Sequence, residues 1–240
     1  MKNVVVTKDL VKEFGKLRAV NRLNLEIQKG EVYGFIGPNG SGKTTTIKIL
    51  CGLLEATYGE SFVLGRRMPD PSVYPRIGYM PQESALYPDL TVSHTIGFFG
   101  ELYGLRKGEI EKREKELLAF VDLKGRRRTL VSNLSGGMKH RLSLAVSLIH
   151  NPELLFLDEP TVGIDPELRA SFWEYFGNLT DEGVTVLITT HYMDEASKCD
   201  RVGMIREGKL VAVGTPEELK KETDTVSLED SFLHFIRRSD

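Results

Sequence analysis

The sequence predicts an α/β fold in which a helical insertion interrupts a largely parallel sheet. Short apolar runs cluster toward the two ends of the chain, helical spacing fills its middle, and a glycine-rich turn joins a buried strand to a helix. Leu23, Leu25 and Ile27 alternate with Asn24, Glu26 and Gln28, the period of a strand with one buried face, ending at Lys29-Gly30. Glu31 to Ile36 (EVYGFI) is apolar on both faces, as in a strand covered by helices, and leads through glycines into a helical segment, Thr44 to Leu54. Val92 to Leu105 and Gly108 to Val121 have helical spacing with charge runs such as Glu111 to Glu116, and no strand is expected from there to Pro152. Strand-length apolar runs return at Leu154 to Leu157 and Val184 to Ile188, while Val202 to Ile205 and Leu210 to Val213 flank Glu207-Gly208 as a hairpin. Thr215-Pro216-Glu217-Glu218 combines an N-cap, a first-turn proline and a capping-box glutamate, so a short helix starts there. From Ser227, Leu228, Phe232, Phe235 and Ile236 form one stripe, to be packed on the body or on a second copy.

Composition narrows the class. The chain has 240 residues, 40% hydrophobic and 28% charged, which suits a soluble globular protein and excludes disorder and collagen-like repeats. Thirty-two Lys+Arg against 34 Asp+Glu leave a net charge of -2, so no polyelectrolyte field favours nucleic acid. Cys51 and Cys199 are too few for a disulfide scaffold or a four-ligand zinc site and read as buried thiols of a reducing compartment, the cytosol. Met1 to Gly15 carries Lys8, Asp9, Lys12 and Glu13, unlike a secretory signal, and no uncharged apolar run approaches the roughly 20 residues of a membrane span. A role at a membrane would require the span to come from another chain.

Gly37-Pro38-Asn39-Gly40-Ser41-Gly42-Lys43-Thr44-Thr45 has the P-loop spacing between a strand and a helix. Backbone N–H groups can wrap a phosphate chain only where side chains are small or absent, and the helix N-terminus behind the loop adds its positive end. Lys43 would neutralise the terminal phosphates, and the Thr44 hydroxyl would coordinate Mg²⁺. The bland reading is a glycine-rich turn, but this spacing arises by chance about once per hundred chains of this length. Leu154 to Leu157 then ends in adjacent carboxylates, with Asp158 suited to the metal shell and Glu159 to polarising an attacking water. Asn133-Leu134-Ser135-Gly136-Gly137-Met138 places a serine N-cap and two glycines at a helix start, a second anion site on one chain.

With these motifs the chain resembles the ATP-binding subunits of ABC transporters, from Val5 to about Leu219. They fall in the family's order: the P-loop, Gln82 of the Q-loop, the signature at Leu134 to Met138, the carboxylate strand, the D-loop Val162-Gly163-Ile164-Asp165 and the switch histidine His191. The resemblance implies a RecA-like P-loop core with an antiparallel β subdomain (1–81 and 152–217), an inserted α-helical subdomain (82–151) and a C-terminal helical extension (218–240). It implies head-to-tail pairing with a second copy or a close homologue. ATP then lies between the P-loop of one chain and Ser135, Gly136, Gly137 and Asp165 of the other. Phe14 would stack on adenine with Val20 behind it, His191 would contact the γ-phosphate, and Gln82 would join Thr44 and Asp158 around Mg²⁺. Glu159 would be the base.

Met138 stands where many members have glutamine, which leaves the phosphate-binding backbone amides unaffected. Met138, the stretch His191 to Arg201 and the tail Ser227 to Phe232 look like the subfamily that serves ABC-2 type exporters, placing the chain on the cytoplasmic face of a membrane through a permease. Ala85, Leu86, Tyr87, Pro88, Phe98, Phe99, Leu102 and Tyr103 are by default helical core; exposed, they would be the docking surface. The competing expectation is a soluble ABC ATPase acting on ribosomes or DNA, which the near-neutral charge and the short interval from Gln82 to Ser135 disfavour. A regulator that does not turn over would lack Glu159 or His191, and both are present.

Overall fold

The computed structural model describes residues 2–239. Its centre is a six-stranded sheet of β4 (Val32–Ile36), β7 (Ile77–Met80), β8 (Leu154–Asp158), β9 (Thr185–Thr190), β10 (Arg201–Arg206) and β11 (Lys209–Gly214), in the order β11-β10-β4-β9-β8-β7. All neighbours are parallel except the β10–β11 hairpin. A second, antiparallel sheet is built from β1 (Asn3–Phe14), β2 (Leu17–Leu23), β3 (Glu26–Gln28), β5 (Tyr58–Val63) and β6 (Arg66–Arg67).

The continuous apolar runs follow from burial on both faces. Every residue of β4, β8 and β9 is buried. Val32, Ile36, Leu155, Leu157, Val186 and Ile188 share one core with α4 (Gly136–Leu148) and α5 (Pro166–Asp181). The alternate residues Tyr33, Phe35, Leu154, Phe156 and Leu187 pack with α1 (Lys43–Leu50) and the antiparallel sheet. Two further helices, α2 (Val92–Leu102) and α3 (Lys107–Phe120), lie in the middle of the chain and join the α4 side of the core through Ile96, Leu117 and Leu118. Short α6 (Met193–Ala196) follows β9. The capping box forms as expected: Glu218 N donates to Thr215 Oγ1 (3.1 Å) and Thr215 N to Glu218 Oε2 (2.8 Å), opening α7 (Pro216–Thr223). α8 (Leu228–Ser239) buries Leu228, Phe232 and Phe235 on the chain's own body, beside α6, α7 and β11. Among the described residues no helix is long and apolar enough to cross a membrane.

Three expectations change. The strand read from Leu23 onward is two strands: β2 ends at Leu23 and β3 starts at Glu26, although Leu23, Leu25 and Ile27 are all buried. The break is stitched by side chains, since Thr7 Oγ1 donates to Leu23 O and accepts from Leu25 N, and Asn24 Oδ1 accepts from Asp9 N. The helix after the glycine turn stops at Leu50, because Gly52 turns the chain with φ +72°. Much of the aromatic cluster is not core: Tyr87, Phe98, Leu102 and Tyr103 are all exposed, Leu102 by 67%, while Leu86 and Phe99 are partly buried and pack against the core.

α4 sits close to the sheet because β7 has no side chain at Gly78, where a Cβ would collide with the carbonyl oxygen of Ser147. Gly78→Ala is expected to cost about 1–3 kcal/mol of stability in denaturant unfolding; an unchanged midpoint would contradict this packing.

Candidate active site

The candidate site lies on the carboxyl edge of the parallel sheet, where ligands of open α/β folds bind. β4 ends at Ile36 and delivers the glycine loop into the N-terminus of α1. Gly42 has φ +107°, and a Cβ there would strike the carbonyl of Ala19, so only glycine lets the loop pass. A side chain at Gly37 would collide with the carbonyl of Ile205. No side chain caps α1, so its first N–H groups face the cleft. Lys43 Nζ donates to the loop's own carbonyls, Gly37 O (2.7 Å) and Pro38 O (3.1 Å), and burial pushes its pKa below the usual lysine value while Glu159 and Asp158 pull it back. The hydroxyl of Ser41 is buried with no partner.

Asp158 ends β8 beside this loop, and Glu159 follows it. Thr189 Oγ1, on the adjacent β9, donates to Asp158 Oδ1 (2.5 Å), whereas Asp158 Oδ2 is buried with no hydrogen-bond partner. Glu159 is a non-glycine residue at φ +55°, a left-handed conformation that costs about 1–2 kcal/mol. Hydrogen bonds pin it on both sides of its Cα: its N–H donates to Thr189 Oγ1 (3.0 Å) and Thr189 O (3.2 Å), and its carbonyl accepts from His140 Nε2 (2.9 Å).

This backbone geometry aims the Glu159 carboxylate into the cleft. Gln82 Nε2 donates to Oε2 at 3.0 Å, and His191 Nδ1 lies 3.2 Å from Oε1. Three residues far apart in sequence, on the segments that follow β7, β8 and β9, thus meet at one carboxylate. The cleft, of about 460 Å³, is lined by Phe14, Leu17, Ala19, Asn39 to Thr45, Gln82 and Glu159. Phe14 presents a ring 49% exposed, while Val20 is fully buried and does not line the cleft; Leu17 and Ala19 do.

Ser135, Gly136 and Gly137 are away from this cleft, at the start of α4. Ser135 is the N-cap, its Oγ accepting from Met138 N (3.3 Å), and it is exposed with Gly136 beside it. A Cβ at Gly137 would lie 3.3 Å from the carbonyl oxygen of Gly163, so the signature touches the segment that carries Asp165. Asp165 caps α5, accepting from Leu168 N (3.0 Å).

Sequence comparison identifies a match to the ABC transporter family model over residues 20–162. The chain belongs to the ABC transporter family. It is 43% identical, over 97% of its length, to the probable multidrug ABC transporter ATP-binding protein YbhF of Escherichia coli K12, and spans 42% of that protein's length. It is 41% identical to the linearmycin resistance ATP-binding protein LnrL of Bacillus subtilis, over 88% of this chain and 69% of that one. A dimeric ATP-binding cassette in a post-hydrolysis state with ADP and Pi superposes with a TM-score of 0.82 at 26% identity, covering 88% of this chain and 98% of the other. The fold is therefore that of the ABC ATPase cassettes.

This ABC family chain also contains site-building residues that the motif reading passed over. Glu195, fully buried, accepts hydrogen bonds from Thr161 and from Thr190 Oγ1 (2.8 Å), with Arg169 Nε 3.8 Å away, tying the segments after Glu159 and before His191 to α5. Thr189 and His140 hold the Glu159 main chain. The sequence signal for Glu195 and Thr189 was their closeness to His191; His140 gave none beyond its helix. Thr189→Val keeps the shape and removes two hydrogen bonds, one to a buried carboxylate. It is expected to lower stability by about 1–3 kcal/mol in nucleotide-free denaturant unfolding, and a loss below about 0.5 kcal/mol would contradict the role given to this hydroxyl.

Proposed function

We propose that this chain binds and hydrolyses ATP as the nucleotide-binding subunit of an ABC transporter. The observation that carries this reading is the Glu159 carboxylate, held between Gln82 and His191 at the mouth of the glycine-loop cleft. ATP lays its phosphates on the backbone N–H groups of Gly37 to Thr45, with Phe14 against the adenine, and Lys43 exchanges its loop carbonyls for terminal phosphate oxygens. The unpartnered Oδ2 of Asp158 and the Thr44 hydroxyl, with the Gln82 side-chain oxygen, are the groups that would hold Mg²⁺. When bound, such an ion would supply positive charge to offset that of the phosphates. Glu159 accepts a proton from the attacking water, and His191 donates to the γ-phosphate.

The exposed Ser135 and Gly136, away from the cleft, fit a site completed in trans. In a head-to-tail dimer they and Gly137, with Asp165 nearby, meet the γ-phosphate held by the partner's glycine loop. The ADP-bound dimeric relative supports this arrangement. One chain with both half-sites intact favours a homodimer. Residues 82–151 then act as a helical subdomain turned by Gln82, against a core of 1–81 and 152–217 with a C-terminal extension, 218–240. Its aromatics Phe99 and Tyr103 border an apolar groove of about 400 Å³ that also contains Cys51, Leu53, Tyr74 and Tyr79, the surface we assign to the permease. Docking there holds the chain at the cytoplasmic face of the membrane. The names of the multidrug and linearmycin-resistance relatives support export.

Glu159→Gln is expected to retain ATP binding, abolish turnover and accumulate as a dimer on a sizing column with ATP; a variant that stayed monomeric would contradict the composite site. Lys43→Ala is expected to weaken ATP binding at least about tenfold in equilibrium titration, and unchanged affinity would refute the phosphate-cradle assignment.

A further inference from the structure

His140 lies about one turn into α4, the helix that starts with Gly136 and Gly137 behind its N-cap Ser135. Its ring is buried, and Nε2 reaches the carbonyl oxygen of Glu159 at 2.9 Å. A carbonyl only accepts, so Nε2 carries the hydrogen. Burial pushes the imidazole below its ordinary pKa, which favours the neutral ring with that hydrogen on Nε2. The acceptor is the left-handed main chain of Glu159, which surrounding contacts must over-determine if it is to persist. Thr189 supplies the restraint from the sheet side, and His140 supplies the one from α4. The same helix makes a second contact with this strand's continuation, where Gly137 abuts the carbonyl of Gly163.

We propose that His140 is a positioning residue that makes the placement of Glu159 depend on the position of α4. The inference rests on the composite-site reading given above. In that dimer each α4 start touches the nucleotide of one site, while the Glu159 bonded to the same helix serves the other. Nucleotide seated against Ser135 to Gly137 fixes α4, the His140 bond fixes the main chain of Glu159, and its carboxylate is aimed at the second nucleotide. The two sites are thereby linked through a single chain, by contacts at either end of the first turn of α4.

The test compares purified His140→Leu, which has no donor, with His140→Gln, whose amide N–H can reach the same carbonyl, against the parent chain. ATP affinity, kcat, the Hill coefficient for ATP and the thermal midpoint are measured for each. The expected result for His140→Leu is ATP affinity within about twofold of the parent, kcat lowered about tenfold and a Hill coefficient falling toward one. His140→Gln should recover kcat to within about threefold and restore the parent Hill coefficient. Should His140→Leu fail to fold, His140→Met, which likewise has no donor, takes its place against His140→Gln under the same criteria. A donor-less variant with unchanged kcat and Hill coefficient overturns the proposal. So does an equal loss in both variants that tracks the thermal midpoint, the mark of a merely structural contact. A parent chain that hydrolyses no ATP removes the functional reading itself, and with it this inference; an active parent with an indifferent His140 removes only the inference.

Discussion

The register of the parallel sheet is the constraint on which the rest of this molecule depends. Ile36 pairs with Thr190, Asp158 with Thr189 and Met80 with Leu157, so β4, β7, β8 and β9 end at one level. β4, β8 and β9 are buried to their last residues, and the chain leaves the sheet on all four strands at this edge. The glycine loop, Gln82, Glu159 and His191 are thus gathered by strand pairing, and the contacts of Gln82 and His191 with the Glu159 carboxylate form on that frame. Slipping one strand by a single residue would turn its buried side chains to the other face, exchanging the α4 and α5 core for the antiparallel-sheet core, so the packing that stabilises the fold also fixes the site.

At this edge the chain stores its least comfortable features. Lys43 is buried against loop carbonyls, Asp158 keeps one oxygen unpaired, and Glu159 holds a left-handed backbone. Each costs free energy on its own, and in the proposed function each gains a partner: the ammonium an anionic oxygen, the bare carboxylate oxygen a cation, the strained glutamate a water. The hydroxyls of Thr189 and Thr190 and the carboxylate of Glu195 offset part of that cost by satisfying the groups that do not face the cleft.

Legibility in the sequence followed locality. The glycine loop, the carboxylate pair, the Thr215 cap and the Ser135 cap are local patterns whose physics is complete within a few residues, and the structure forms each of them. β1, by contrast, carries Lys8-Asp9 and Lys12-Glu13 within its length, β5 carries Gly59-Glu60, and β6 and β7 are short, so their strand character comes from partners distant in sequence. The division of the Leu23 to Gln28 segment depends on Thr7 and Asn24 acting across the strands, which no periodicity records. The lining of the cleft shows the same limit. Val20 alternates correctly for a strand, but the pleat turns it into the core and leaves Leu17 and Ala19 toward the loop. Phe98 and Leu102 on α2 read by default as core because composition alone does not show which face of a helix lacks a neighbour. His140 is the extreme case: its acceptor is a backbone carbonyl 19 residues away, and backbone atoms leave no trace in the sequence.

The central claim is that the glycine loop of one chain and the α4 start of another enclose one ATP. Its most direct measurement is an inter-chain cross-link between Asn39→Cys in one population and Ser135→Cys in another, both in the Glu159→Gln background. The native Cys51 and Cys199 are buried and do not compete. The account predicts a disulfide-linked dimer that forms between the unlike variants, requires ATP and is absent when either variant is oxidised alone. A cross-link that formed equally without ATP, or none in the mixture, would contradict it.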